Sequence, residues 1–294
     1  MKTTKIATAL SLCFSFPAHA QQDLSKVEIK TEQLAPGVAV LFGAGGNIGV
    51  SYGEDGTVLI DDQFAPLTGK IQKAVADLGA TPVKFLINTH WHFDHSGGNE
   101  NLGKAGVVIM AHDNVRLRMA AGATVAGNVT PPAPKVALPI ITYADGMKLY
   151  LNGEEIRVIH MPTGHTDGDS IIYWTKSNII HMGDLFMFGI SFPFVDTGSG
   201  GNVRGFVTAA DKVLAIANDQ TKIIPGHGAM ATKADLQNHR NMVAGVIGKV
   251  EAGIKAGKTL DQIKASRPAD GYAVKADGFI TADRFVETVY GMVK

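Results

Sequence analysis

Short apolar and β-branched runs, separated by turns that contain glycine, alternate along the first part of the chain. Runs of this length and composition predict β-strands. Between Leu67 and Leu78 the apolar residues instead recur at helical spacing until Gly79, which predicts a helix. The strands predicted in this part are Val38–Phe42, Ile48–Tyr52, Thr57–Ile60 and Val83–Ile87.

The rest of the chain repeats the pattern of strands followed by helices, with Asn152-Gly153 as a predicted hairpin turn. No linker separates the halves, so we expect one domain over residues 21–294. Two packed sheets with helices outside would give an α/β fold of four layers, α/β/β/α. The further strands are predicted at Val107–Met110, Lys148–Leu151, Ile156–Ile159, Ile171–Trp174, Ile179–Met182 and Lys222–Ile224, and the further helices at Asp113–Ala121, Val203–Ala217, Lys233–Ala256 and Thr281–Val293.

Composition and charge limit the classes of partner. Of the 294 residues, 45% are hydrophobic and 18% are charged, which is typical of a globular protein with a sizeable core. The formal net charge is zero, and no basic patch stands out in the sequence. We therefore expect no nucleic-acid partner and no anionic membrane surface as a partner.

Residues 1–20 have the composition of a secretory signal peptide. Lys2 and Lys5 precede an apolar stretch, and Ala18-His19-Ala20 forms a small-x-small cleavage site before Gln21. The apolar stretch is too short to cross a bilayer as a stable helix. We expect cleavage after Ala20, a periplasmic or secreted chain and no membrane insertion; an ordinary N-terminal helix is the alternative.

Cys13 is the only cysteine of the sequence, and it lies within the expected signal peptide. A lipid anchor at Cys13 is an alternative, although Leu12 is a poor residue before a modified cysteine. A mature chain without a thiol suits an oxidising compartment. Any metal ion would then be bound by imidazole and carboxylate groups.

Three histidines and an aspartate follow the strand predicted at Val83–Ile87. A loop after a strand can turn successive side chains inward from a rigid base. Two imidazoles two residues apart can bind one ion, while the next carboxylate and imidazole bind a second ion beside it. Ordinary packing seldom produces such a density, so the run predicts a metal site at His90, His92, Asp94 and His95.

Three later segments share one form, an apolar strand followed by glycine and a residue that can bind a metal. They are Gly164-His165, Gly183-Asp184 and Gly226-His227. Glycine at a strand end lets the backbone approach closely and redirects the next side chain. A single glycine–histidine pair is more often structural, but the joint order of these segments after the histidine run strengthens the prediction.

With these motifs the chain resembles the metallo-β-lactamase superfamily of zinc hydrolases. The HxHxDH run at His90–His95, Gly164-His165-Thr166, Gly183-Asp184 and Gly226-His227-Gly228 match the family's motifs in order, from about Gln33 to Gly228. The resemblance implies the αββα metallo-β-lactamase sandwich and two Zn²⁺ ions per subunit. The last part of the chain carries no family motif.

The resemblance also implies roles for individual residues. Asp61 matches an aspartate that orients a ligand histidine, with an Asx turn or a strand end as the alternative. Asp184 would lie between the two ions or on the second one. The first zinc ion would be bound by His90, His92 and His165, and the second by Asp94, His95 and His227.

Asp94 is the expected catalytic residue, because it can orient the nucleophile and pass a proton onward. A zinc-bound water has a pKa lowered to roughly 7, so hydroxide is available at neutral pH to attack a carbonyl. The second zinc ion would stabilise the oxyanion or the leaving group. Flavo-diiron relatives carry a glutamate at the position of His92, which argues against an iron redox role.

The substrate prediction depends on fewer residues. Asp184 and Met187 stand where the cysteine-containing β-lactamases have a thiol and a substrate-binding lysine. Aspartate there is common in relatives that cleave lactones, thioesters, phosphodiesters or sulfate esters. The expected export and the segment from His165 to Trp174 favour β-lactams.

We therefore predict an exported zinc β-lactamase that acts on a small-molecule antibiotic. The alternatives are a lactonase or another ester or thioester hydrolase on the same dinuclear site, and a periplasmic zinc-binding protein without catalysis.

Two stretches are expected to line a hydrophobic pocket, residues 122–135 and the apolar stretch 187–201. A packed flap without substrate contact is the alternative for the second stretch. Trp91 and Phe93 are expected to pack the histidine loop down. The histidines outside the motifs, expected to be structural, are His112, His160, His181 and His239.

Overall fold

The computed structural model describes residues 23–294, so the expected signal peptide and its cleavage site lie outside the described residues. Seven strands form the first sheet, in the order Lys30–Ala35 (β1), Val38–Phe42 (β2), Ile48–Ser51 (β3), Thr57–Ile60 (β4), Val83–Ile87 (β5), Val108–His112 (β6) and Ile141–Tyr143 (β9). The pairs from β1 to β4 are antiparallel, and those from β4 to β9 are parallel. The carboxyl ends of β4, β5 and β6 therefore meet at one edge.

The second sheet has five strands, in the order Gly146–Leu151 (β10), Glu154–His160 (β11), Ser170–Trp174 (β12), Ile179–His181 (β13) and Lys222–Ile224 (β15). The β13–β15 pair is parallel, so these two strands also end together. Two short ribbons complete the strands, one of Ala123–Val125 (β7) with Asn128–Thr130 (β8) and one of Met187–Phe188 (β14) with His227–Gly228 (β16).

The helices lie outside the two sheets. They are Thr68–Asp77 (α1), Phe93–Ser96 (α2), Asn99–Lys104 (α3), Asp113–Ala121 (α4), Val203–Ile216 (α5), Lys233–Lys255 (α6), Leu260–Ala265 (α7) and Ala282–Val293 (α8). Among the described residues, no helix is both long enough and apolar enough to cross a membrane.

Apolar side chains between the two sheets form the central core. Ile60 and Ile87 of the first sheet and Ile172 and Trp174 of the second are fully buried there. On the outer faces, α1 packs its Ile71 and Val75 on the first sheet, and α5 packs Ala209 and Val213 on the second. This layering confirms the predicted α/β/β/α fold, in which burial of apolar area joins the layers.

The C-terminal helices form a further core with the stretch before α5. Val243 and Val250 of α6, Ile263 of α7 and Phe285 of α8 share it with Phe192. The backbone N–H of Phe192 also donates to the carbonyl of Ile280 over 3.2 Å. The segment between α7 and α8 is thereby attached to a stretch that was expected to line the pocket.

The strands and α-helices that were not predicted are β1, β7, β8, β9, β14, β16, α2, α3 and α7. Of these strands, β7, β8 and β9 have three residues each, too few to show an alternating pattern. The β7–β8 ribbon occupies part of the stretch 122–135 that was expected to be a loop. For α7 the sequence contained a signal, because Thr259 and Gln262 form a capping box at its start.

Candidate metal centre

Four segments bring polar residues to one end of the two sheets. The HxHxDH run follows β5 and enters α2, His165 precedes β12, Asp184 follows β13 and His227 follows β15. Close approach requires glycine between these segments, because a Cβ at Gly226 would lie 2.1 Å from Asp184 Oδ1. The glycines that precede the candidate ligands thus let the strand ends meet.

His90, His92 and His165 form the first of three groups of candidate metal ligands among the described residues, and we call it the imidazole half. The third group, His90, His95 and Asp184, shares one residue with each of the other two. In the imidazole half, one donor atom from each residue lies within 4.8 Å of the other two. His165 Nε2 and His92 Nδ1 are 2.8 Å apart. All three side chains of this half are buried, so solvent has little access to this group.

Asp94, His95 and His227 form the second group, which we call the carboxylate half. The Nε2 atoms of His95 and His227 are 3.1 Å apart, and Asp94 Oδ2 lies 3.3 Å from His227 Nε2. Asp184 links the halves. Its Oδ1 lies 3.1 Å from His95 Nε2, and its Oδ2 lies 3.6 Å from His165 Nε2.

Burial sets the protonation of the imidazole half. Burial, together with the nearby imidazoles of His95 and His165, lowers the pKa of His90 well below its ordinary value. Burial and the imidazole of His92 lower the pKa of His165 to about 4. Both rings are therefore neutral near pH 7, the state in which an imidazole nitrogen can bind a metal ion.

Ion pairs set the protonation of the carboxylate half. Burial alone would lower the pKa of His227, but Asp184 and Asp94 together outweigh it and raise the value to about 9. At His95 burial is outweighed in the same way, by Asp184 first, and the pKa is raised well above its ordinary value. Burial opposes ionisation of Asp94, yet His95 and His227 lower its pKa to about 2.

The donors fit a divalent metal ion. His90 Nε2 is buried without a hydrogen-bond partner among the described residues, which is costly unless a ligand satisfies it. The close pairs of imidazole nitrogens face each other in both halves, and a cation between them would satisfy both lone pairs. Imidazole and carboxylate together are donors that suit zinc.

Hydrogen bonds on the far side of three rings fix which nitrogen faces the centre. His95 Nδ1 donates to Asp61 Oδ2 over 2.8 Å, and His165 Nδ1 donates to the carbonyl of Phe194 over 2.7 Å. His92 Nε2 donates to Asp196 Oδ2 over 2.9 Å. Asp61 therefore occupies the position expected for a residue that orients a ligand histidine.

The carboxylate of Asp61 is itself held in place. It accepts hydrogen bonds of 2.7 Å from both the backbone N–H and the hydroxyl of Thr89. Asp61 has a φ of 65°, an uncommon conformation for a residue other than glycine. Such strain at a polar site is typical of a position that the surrounding structure determines.

Asp196 was not found by the sequence analysis. It is buried, and it also accepts a 2.5 Å hydrogen bond from the hydroxyl of Ser199. It lies 104 residues from His92 along the chain, in a turn of ordinary composition. The sequence therefore carried no local signal for this contact.

Among the described residues, the four histidines outside the motifs belong to neither half. His112 and His160 stack with ring centroids 3.5 Å apart, and His181 Nε2 lies 2.9 Å from the carbonyl oxygen of Asn47. His239 lies in α6 and packs edge-on against Phe186. These contacts agree with the structural roles expected for them.

A pocket with a volume of about 260 Å³ opens beside the centre. Both expected stretches contribute to it, the first through residues 125, 126 and 128 and the second through residues 187, 190, 191 and 194. Phe192 of the second stretch instead lies in the C-terminal core. Among the described residues that line this pocket, none is a lysine or an arginine.

The two aromatic residues of the histidine loop have different positions. Trp91 is buried, as expected, and its Nε1 donates to Ser199 Oγ over 3.1 Å. The expectation for Phe93 was wrong, because its side chain is 45% exposed and lines the pocket beside Phe64. Phe93 opens α2, and an aromatic side chain there faces the entrance instead of the core.

The sequence model of the metallo-beta-lactamase superfamily matches residues 42–227, more than half of the chain. The chain belongs to this superfamily. The match begins in β2 and ends at His227, so it contains every residue of the two halves and Asp184. Membership identifies the chain as a metallo-hydrolase with a fold typical of divalent-metal binding.

Two curated proteins illustrate its sequence relatives. A probable metallo-hydrolase of Methanocaldococcus jannaschii is 25% identical over 186 residues, which are 60% of this chain and 84% of that protein. A beta-lactamase-like protein 2 homolog of Drosophila melanogaster is 26% identical over 166 residues, 56% of this chain and 48% of that protein. The chain thus spans about half of the Drosophila protein.

Solved structures share the fold at lower identity. A stereoselective inverting sec-alkylsulfatase from Pseudomonas sp. superposes with a TM-score of 0.70 and 17% identity, over 89% of this chain and 50% of the other. A metallo-beta-lactamase from Pontibacter korlensis gives 0.61 and 18%, over 74% of this chain and 99% of the other. The chain therefore spans about half of the alkylsulfatase. At 17% and 18% identity, these similarities establish the fold alone.

Proposed function

We propose that this metallo-hydrolase is a dinuclear zinc enzyme that opens a cyclic carbonyl compound. The two halves, which Asp184 links through its contacts to His95 and His165, carry the proposal. When bound, zinc ions supply a nucleophile at neutral pH and stabilise negative charge on the carbonyl oxygen. The residues of the imidazole half would hold one ion, and those of the carboxylate half would hold the other.

Asp94 is placed to manage the proton of the nucleophile. Its side chain is 25% exposed and lines the pocket, while its Oδ2 lies 3.3 Å from His227 Nε2. It is thus a member of the carboxylate half that also reaches the substrate space. Its pKa of about 2 keeps it a carboxylate at neutral pH, ready to orient a proton donor or to accept a proton.

Asp61 and Asp196 would act through the rings that they hold. Each accepts a hydrogen bond from the ring nitrogen that faces away from the centre. Asp61 accepts from His95 of the carboxylate half, and Asp196 accepts from His92 of the imidazole half. A fixed ring needs no reorientation when the ion binds. Both are therefore positioning residues.

The pocket gives an order among substrates. A β-lactam antibiotic carries a carboxylate, which proteins usually bind with a lysine or an arginine. No such side chain occurs among the described pocket residues, whereas a neutral lactone or ester requires none. We therefore place lactones and neutral esters ahead of the β-lactams that the sequence favours. Hydrolysis of β-lactams and export both remain predictions.

Hydrolysis by zinc-loaded residues 21–294 tests the proposal. The substrates are a penicillin, a cephalosporin, a carbapenem and an N-acyl homoserine lactone, each with and without a chelator. We expect chelator-sensitive opening of the lactone, with slower or no opening of the three β-lactams. Faster opening of a β-lactam would restore the sequence-based order. Tight zinc binding without turnover of any substrate would instead favour the non-catalytic alternative.

A further inference from the structure

A segment beyond the family match forms part of the pocket wall. The match ends at residue 227, yet Phe279 lines the pocket beside residues of the centre. The side chain of Phe279 is 60% exposed, so much of its ring is open to solvent on the pocket side. It therefore offers apolar area that a ligand in the pocket can cover.

The backbone on both sides of Phe279 is firmly attached. The N–H of Ile280 donates to Ser191 Oγ over 2.8 Å, and Ser191 is buried. On the other side, a Cβ at Gly278 would lie 2.4 Å from the carbonyl oxygen of Ile190, so only glycine allows this approach. The position of Phe279 is thus determined by main-chain contacts that do not involve its own ring.

Aromatic rings connect Phe279 to the imidazole half. Its ring meets that of Phe194 edge-on, with centroids 5.5 Å apart. Phe194 in turn lies 5.5 Å from the ring of His165 and 5.9 Å from that of His92. An apolar wall therefore runs from the candidate metal ligands His92 and His165 through Phe194 to the exposed ring of Phe279.

We infer that Phe279 is a specificity-determining residue that binds the apolar acyl chain of a substrate whose scissile carbonyl lies at the centre. This inference rests on the proposed function. A linear chain fits the observations because the wall is continuous, apolar and without a cation among its described residues. Each methylene that the wall buries should raise kcat/KM by up to about fourfold.

N-acyl homoserine lactones with butanoyl, hexanoyl, octanoyl and decanoyl chains test the inference. For the zinc-loaded protein, kcat/KM should rise with each two-carbon step until the wall is covered. In Phe279→Ser the ratio of decanoyl to butanoyl kcat/KM should fall on the order of 10-fold, which corresponds to about two unburied methylenes. Phe279→Trp, which keeps an aromatic surface, should retain most of the ratio.

Tyr150→Ser is the matched control, because Tyr150 is also aromatic and 68% exposed but lies on β10, outside the pocket. This variant should keep the wild-type ratio. A wild-type protein without chain-length dependence would overturn the inference, and so would full dependence in Phe279→Ser. Hydrolysis would continue in either case, so the proposed function would stand.

A binding measurement separates the inference from turnover. The apolar fluorophore N-phenyl-1-naphthylamine is added to the zinc-loaded protein and displaced with decanoate or with butanoate. Decanoate should displace it at a concentration at least 10-fold lower than butanoate, and Phe279→Ser should lose most of this difference. If no substrate is hydrolysed but this result holds, the proposed function fails and the chain-binding surface stands. Equal displacement by the two acids would contradict the inference.

Discussion

The two halves of the centre are built from similar residues but are stabilised in different ways. The imidazole half has three buried rings, and burial lowers the pKa of His90 and His165. The carboxylate half contains ion pairs that raise the pKa of His95 and His227 above ordinary values. One half thus offers free lone pairs, whereas the other holds protons that a metal ion must displace.

We expect this difference to assign retention of a metal ion to one half and proton transfer to the other. Asp94 is charged at neutral pH, because its pKa is about 2. Its side chain is 25% exposed, compared with 19% for His227 in the same half. The imidazole half is buried, contributes only His92 to the pocket lining and suits permanent retention of an ion. The carboxylate half faces the pocket and suits proton transfer. Substitutions in each half should therefore change different measurements.

Asp94→Asn should have the largest effect. The amide cannot accept the proton, so kcat should fall by roughly 10²- to 10⁴-fold while most of the fold is kept. Steady-state hydrolysis and far-UV circular dichroism measure the two outcomes. Unchanged kcat in a folded, zinc-loaded variant would show that the carboxylate half does not transfer the proton.

His165→Ala should remove one ion. With one of three ligands missing, zinc content should fall from about two equivalents toward one, as measured by elemental analysis after dialysis. His160→Ala is the control, since His160 is a half-buried ring outside both halves. Two tightly held zinc ions in His165→Ala would mean that the ligand assignment is mistaken.

The clustering of the candidate ligands at the strand ends could be predicted from the sequence because each residue is local to a motif. His90, His92 and Asp94 follow a strand within a few residues, and glycine precedes His165 and His227. The residues that set their backbone conformation are therefore their neighbours in the sequence. The same holds for the buried strands, whose apolar and β-branched runs predicted the two sheets.

Contacts between distant segments could not be predicted. Asp196 meets His92 only after the two sheets have packed, and Phe279 reaches the pocket through hydrogen bonds of its neighbour Ile280 to residues 191 and 192. Neither belongs to a motif. The pocket wall thus depends on tertiary packing that leaves no periodic signal in the chain.

Asp61→Asn and Asp196→Asn should have smaller, separate effects. Each replaces the carboxylate that holds one ring, Asp61 in the carboxylate half and Asp196 in the imidazole half. We expect metal affinity 10- to 100-fold lower for one ion in each variant. Titration with a chromophoric chelator measures the two affinities. Equal weakening of both ions by either variant would contradict the division into halves.

The smallest effect is expected at His239. Its pKa is shifted by burial alone, so a change there shows the effect of burial on an imidazole without neighbouring charges. Burial lowers the pKa of His239 to about 4, with no other cause. The unfolded chain has a value near 6.5, so it binds the proton more readily than the folded state. Stability from the neutral ring is therefore present above about pH 6.5 and is lost as the pH falls toward 4.

Between pH 7.5 and 5.0 this loss should be about 2 kcal/mol in the free energy of unfolding, measured with urea. In His239→Phe the ring can keep its contact with Phe186, 4.9 Å away, without a titrating group. The decrease between the two pH values should then be about 2 kcal/mol smaller than in the wild type. An equal decrease would mean that burial alone does not keep an imidazole neutral in this fold, and the low pKa values of the imidazole half would have to come from its neighbouring rings.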